Sequence, residues 1–226
     1  MKNQSKGLLR KFSAELLGTA TLVAIVVGSG TMATNLSRDL GVDLLINTIS
    51  TVFGLGILIL IFGPVSGAHF NPVVSISEWI QKRLHSKDLL AYLLGQFAGG
   101  ILGAMAANLM FKKPAYYPSH HIRSGANLWL GEVIATAGLL FLIQMLRGQG
   151  KDSLAPIVVA SWIGSAYFFT SSTSFANPAV TLARSVSDTF SGIAIGSVAM
   201  FVLAQGVGAI LGTVSGNYFN QSSGEK

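Results

Sequence analysis

Residues 67–75 read GAHFNPVVS, and residues 174–184 read SFANPAVTLAR. Each places an Asn-Pro pair, Asn71-Pro72 and Asn177-Pro178, at the head of a short apolar stretch covering 70–80 and 177–187. Proline suits the first turn of a helix, where its missing N–H costs nothing, and asparagine just before it suits the N-cap. Each stretch therefore predicts a helix about 15 Å long, half the thickness of a hydrocarbon core. One Asn-Pro pair would read as a surface turn. Two, each between longer apolar segments, read as two half-spans.

The flanking sequence supplies those longer segments. Spans are expected at 11–31, 40–62, 89–111, 128–147, 153–172 and 190–216, each near the length of about 20 residues that crosses a bilayer. Only 11% of the chain is charged, against about 25% in soluble domains, so the class is membrane. The formal net charge of +6 comes from basic residues scattered singly or in pairs, which argues against nucleic acid as a partner. Without cysteine there is no disulfide framework and no thiolate site. The first span follows Lys2, Lys6, Arg10 and Lys11 as a secretory signal would, but it is too long and is read as a retained helix. With the N-terminus inside, ten lysines and arginines (Lys226 among them) face the cytoplasm and four face outward, so both termini are expected in the cytoplasm and the protein in the cell (inner) membrane.

The chain is also doubled. LLGQFAGGILGAM (93–105) matches VLAQGVGAILGTV (202–214), setting Gln96 against Gln205. AELLGTATLV and GEVIATAGLL set Glu15 against Glu132, and the Asn-Pro pairs lie between these landmarks in the same order. A unit of three spans is odd, so the second copy enters the membrane from the opposite face. The expected fold is all-α: six transmembrane helices plus two re-entrant half-helices in an inverted repeat, one channel domain over 1–226 with repeats at about 8–111 and 126–219. The half-helices meet tip to tip at the bilayer centre. Backbone broken at that depth must be buried in protein or line a watery cavity. Two positive helix ends and two asparagine amides there repel cations and reorient single-file water, while neutral polar solutes pass. This predicts a passive pore for uncharged solutes. The rival reading is an ion-coupled secondary transporter of a small polar solute, which needs coupling groups at the midplane beyond the paired glutamates. An enzyme would need a nucleophile, base or metal cluster that the spans lack.

SGAHFNPVV and SFANPAV, with the doubled six-span layout, resemble the aquaporin and aquaglyceroporin (major intrinsic protein) family over nearly the whole chain. The resemblance implies a homotetramer with one pore per subunit, no enzymatic activity, no cofactor and no metal. It also implies a pore centre of Asn71, Pro72, Val73, Asn177, Pro178 and Ala179. Glu15 and Glu132 would hydrogen-bond the loop backbone before the half-helices. His69, two residues before Asn71, is read as a packed histidine beside the pore, a pore-facing or pH-sensitive constriction being the other option.

The sequence departs from that family pattern at two positions. Val73 replaces the usual alanine, and Val180 stands where most members carry the constriction arginine. Loss of the guanidinium removes a fixed charge and five donors and leaves width. The remaining filter residues are expected to be Thr51, or Phe53 if the alignment is gapped, then Ser174 and, from the fifth span, Ile163 or Ser165. A filter of Thr51, Ser165, Ser174 and Val180 would admit water with glycerol, urea or neutral metalloid acids such as arsenous acid. Arg184, one turn beyond Val180, either hangs over the outer mouth or binds carbonyls of the loop between spans three and four. His120 and His121 in that loop read as an exposed pair, not a metal site.

Overall fold

The computed structural model describes residues 2–221, with side chains over 7–220; Met1, Lys226 and the side chains of Lys2 and Lys6, counted above, lie outside this description. The elements run α1 (Lys2–Leu36), α2 (Leu40–Ser66), α3 (Pro72–Ile80), α4 (Ser86–Met110), α5 (Ala126–Gly148), α6 (Ala155–Phe169, preceded by a 3₁₀ turn Asp152–Leu154), α7 (Pro178–Arg184) and α8 (Ile195–Gln221). Six of these helices are long and apolar enough to cross a membrane. The other two, α3 and α7, are the half-helices. Six crossings put the start of α1 and the end of α8 on one side, here called the terminal side, and the 37–39, 111–125 and 185–194 links on the far side.

Several boundaries differ from the sequence reading. The fifth span ends at Phe169, because residues 170–177 turn back into the protein. The sixth begins at Ile195, and α7 stops at Arg184, because residues 185–194 fold as an irregular far-side link. There Gly192 lies so close to Ser119 Oγ and Ser187 O that a Cβ would approach them to 2.4 and 2.5 Å, so the link packs tightly against the 111–125 link.

Helix pairs α1/α4 and α5/α8 cross over matching glycine ribs. A Cβ on Gly99 would stand 2.3 Å from Leu16 O, and one on Gly103 2.1 Å from Ala20 O. On α8, Gly208 and Gly212 meet Val133 O and Ala137 O at 2.5 and 2.0 Å. Small residues four apart let backbones approach where lipid supplies no hydrophobic drive for helix association. Gln96 and Gln205 sit three residues before each rib, so the register that brings the glycines together also carries these amides to the interior.

Candidate functional site

Both half-helices are capped by their own asparagines. Asn71 Oδ1 accepts from Val73 N (3.2 Å), and Asn177 Oδ1 accepts from Ala179 N and Val180 N (3.0 and 3.2 Å). With the oxygens so used, the amide nitrogens point across the centre. Asn71 Nδ2 donates to Ala176 O and Asn177 Nδ2 to Phe70 O, both at 2.8 Å. The two repeats are thereby cross-braced through the very groups that face the pore.

The turns before the half-helices are held from behind by buried carboxylates. Glu15 accepts from Ser66 Oγ (2.6 Å), His69 N (3.0 Å), Phe70 N (2.6 Å) and Gln96 Nε2 (2.7 Å). Glu132 accepts from Phe175 N and Ala176 N (2.8 Å each) and from Gln205 Nε2 (2.6 Å). Each glutamine also reaches a hydroxyl in its half-helix: Gln96 to Ser75 (2.9 Å), Gln205 to Thr181 (2.8 Å). Neither glutamate is left free as an ion-coupling group. His69 packs edge-on against Tyr92 and pairs with Ser75 Oγ at 3.0 Å, with one edge on the cavity.

A cavity of about 790 Å³ runs between the half-helices, bounded by Phe175 and Arg184 toward the far side and by Glu78 and Asp152 toward the terminal side. Asn71 and Asn177 both line it. Pro72, Val73, Pro178 and Ala179 do not: their side chains pack into the protein, and Val74 and Val180, three residues after each asparagine, face the cavity instead. Of the six residues expected at the pore centre, Asn71 and Asn177 are the ones that line this cavity.

Thr51, Ser174 and Val180 line the same cavity and are buried. Phe53 points away and is 69% exposed on the outer surface of the bundle. Ser165 is a correction. It is exposed and does not reach the cavity, whereas Ile163 and Tyr167 do. These two are one turn apart on one face of α6, and residue 165 lies on the opposite side. Tyr167 was missed, although spacing of four from Ile163 could have found it; its hydroxyl is 3.4 Å from Thr51 Oγ1.

Arg184 lines the cavity, as one of its two readings had it, and the other reading changes its partner. Its Nε donates to Ser191 O, in the link between α7 and α8 and not in the loop between spans three and four, and its guanidinium stacks 3.3 Å over the Phe175 ring. His120 and His121 instead meet Asp188: His120 N donates to its carboxylate at 3.0 Å, with the two rings at 3.2 and 3.7 Å. Among the described residues no three histidine or acidic side chains converge as metal ligands.

Comparison with known proteins agrees with this architecture. The model of the major intrinsic protein family matches residues 2–175. Aquaglyceroporin AqpS of Rhizobium meliloti (strain 1021) is 47% identical over 208 residues, covering 92% of this chain and 88% of the relative. Putative aquaporin NIP4-1 of Arabidopsis thaliana is 29% identical over 219 residues, covering 93% and 73%. The X-ray structure of the aquaglyceroporin from Plasmodium falciparum shares the fold, with a TM-score of 0.67 at 21% identity, over 95% of this chain and 96% of that one. The chain is an integral membrane protein and belongs to the major intrinsic protein family.

Proposed function

We propose that this protein is a passive transmembrane channel for water and small uncharged solutes: glycerol, urea and neutral metalloid acids such as arsenous acid. The observation that carries the reading is the cavity passing both asparagine amides, each locked in orientation by a bond to the other repeat. A fixed donor pair holds a passing water by its oxygen and interrupts proton hopping, and the half-helix N-termini add a positive barrier to cations. The filter is assigned to Thr51, Tyr167, Ser174 and Val180, wide and of mixed polarity. Apolar width at Val180 favours solutes larger than water, and hydroxyls at Thr51 and Tyr167 replace part of their hydration. The name of the AqpS relative, an aquaglyceroporin, points the same way. Both carboxylates at midplane depth are consumed by backbone amides, which counts against an ion-coupled transporter.

The protein is further assigned to the cell (inner) membrane with both termini cytoplasmic, and to a homotetramer. Exposed apolar faces on α2 and α6, including Phe53, Ile57, Ile157 and Phe168, suit lipid or a second subunit. Stopped-flow light scattering on liposomes holding the purified protein tests the transport reading. Fast reswelling in a glycerol gradient, above empty vesicles, is expected. Water flow without glycerol flow would remove the wide-filter assignment, and saturable flux driven by a proton gradient would replace the channel with a transporter.

A further inference from the structure

Seven residues beyond each asparagine the two halves carry opposite charges: Glu78 at the end of α3 and Arg184 at the end of α7. Both side chains are almost wholly buried and both line the cavity. Their surroundings differ. Glu78 accepts from Arg83 Nε (2.9 Å) and Nη2 (3.0 Å) and from Arg147, so its charge is answered by two guanidiniums. Arg184 has no carboxylate partner among the described residues. Its Nε is held by Ser191 O and its plane by Phe175, which fixes the group without neutralising it. Neither Nη finds a protein acceptor among the described residues, and neither is sealed from the cavity. A cation with no carboxylate in contact therefore faces the lumen about 6 Å farther out than Val180, one helical turn along α7.

We propose that Arg184 is the charge-selecting residue of this pore, set one turn outward of the ring that determines width. The proposal rests on the channel reading above. Separating the two tasks lets the Val180 level stay wide and apolar while the Arg184 level repels cations and offers N–H donors to solute oxygens. The favoured substrates are neutral and oxygen-rich, polyols and undissociated oxyacids, and their cationic counterparts are refused.

The test compares potassium and glycerol permeability in the same proteoliposomes. The full-length protein should pass glycerol and exclude potassium. Arg184→Met should raise the potassium-to-glycerol permeability ratio about tenfold or more, because a fixed charge in a low-dielectric passage acts strongly on cations and little on neutral solutes. Arg184→Lys should hold the ratio near that of the parent. If Arg184 only braced the far-side link, Arg184→Met would lower both fluxes together and leave the ratio unchanged, which overturns the proposal. Should that variant not assemble, the double exchange Val180→Arg with Arg184→Val carries the test. Moving the charge inward should keep potassium out and cut glycerol flux about tenfold; undiminished glycerol flux would refute the division of tasks. A parent protein that passes no glycerol removes the channel reading itself, whereas one that passes both glycerol and potassium leaves that reading standing and removes the role of Arg184.

Discussion

At the turn before α3, Ala68 and Phe70 adopt φ values of 50° and 49°; 106 positions on, Ser174 and Ala176 adopt 51° and 48° before α7. Non-glycine residues avoid this left-handed region, and holding one there costs of order 1 kcal/mol unless the surroundings impose it. Here the surroundings do so twice, through a glutamate behind the turn, a glutamine beside it and an asparagine from the other repeat. The same comparison breaks down beyond the asparagines. Val74 and Val180 still match, but Glu78 and Arg184 carry opposite charges, one paired with two guanidiniums and the other with no carboxylate partner among the described residues. Backbone support is thus duplicated, while the charges at the two ends of the cavity are free to diverge. Parts that hold the break open must satisfy identical orphan amides; lumen-facing parts answer only to what passes.

Removing a support should produce the largest effect. Glu132→Ala abandons Phe175 N, Ala176 N and the Gln205 amide in a buried site, at about 1–3 kcal/mol for each donor left unpaired. The protein should lose its folded yield in detergent, measured by size-exclusion chromatography with intrinsic fluorescence. Glu15→Ala should be worse, since four donors lose their acceptor. If either variant melts like the parent, the claim that the turns are imposed from behind is wrong.

Next comes the level at which the halves still match. Val180→Arg adds a second guanidinium one turn inward of Arg184 and should reduce glycerol flux about tenfold or more, with water flux less affected. The equivalent Val74→Arg lies beside the doubly paired Glu78 and should reduce glycerol flux less. Equal losses would mean that charge at the far end has no special weight. Smaller again is the glycine comparison on α8. Gly212→Ala drives a Cβ against Ala137 O and should lower the melting temperature in detergent, by a cost of about 1–3 kcal/mol typical of overpacking. Gly206→Ala meets nothing within 4 Å and should leave it unchanged or raised.

How much of this was legible follows the same division. The half-helices could be read because Asn-Pro states its own helix start, and the doubling because Gln96 and Gln205 recur in one register with their glycines; that those glycines pair α1 with α4 and α5 with α8 came only from the structure. Filter residues were harder. Thr51 and Phe53 are two positions apart, on opposite sides of α2, so choosing between them requires the rotation of that helix against α1. That rotation is set by contacts such as Asn47 Nδ2 to Val26 O at 2.8 Å, which no local pattern announces. Tyr167 was within reach of the four-residue spacing from Ile163, and Ser165 was not on that face. The partner of Arg184 was out of reach, because residues 185–194 have no periodicity to say which carbonyl returns to the helix end. The correspondence of Glu78 with Arg184 needed only the count that aligned the asparagines.

The smallest expected effect concerns the far-side links: 111–125 joins the repeats and has no counterpart, and the link between α7 and α8 is longer than the one between α3 and α4. Tyr117 N donates to Val186 O (3.1 Å) and Asp188 N to Tyr117 O (2.7 Å), joining the 111–125 link to the segment after α7. The Asp188 carboxyl is held below its ordinary range, chiefly by the His120 backbone N–H; burial opposes this as the next largest effect, and the His120 side chain and the His121 charge add smaller lowering effects. A carboxylate with a depressed folded-state pKa adds stability above its unfolded value, about 4, and loses it as pH falls through the folded value. The clip should therefore hold from neutral pH down to about 4 and loosen only below that. Hydrogen exchange at residues 117–121 should stay slow across that range and accelerate in stronger acid. Asp188→Asn removes the charge that His120 N–H favours, so exchange should already be faster at pH 7 and should change little with further acidification. Because Asp188 is partly exposed and solvent screens the contact, glycerol flux at pH 7 should scarcely differ between the variant and the parent. A large fall in flux would mean that this link, longer than its equivalent in the first repeat, positions Arg184 through Ser191 and belongs to the filter.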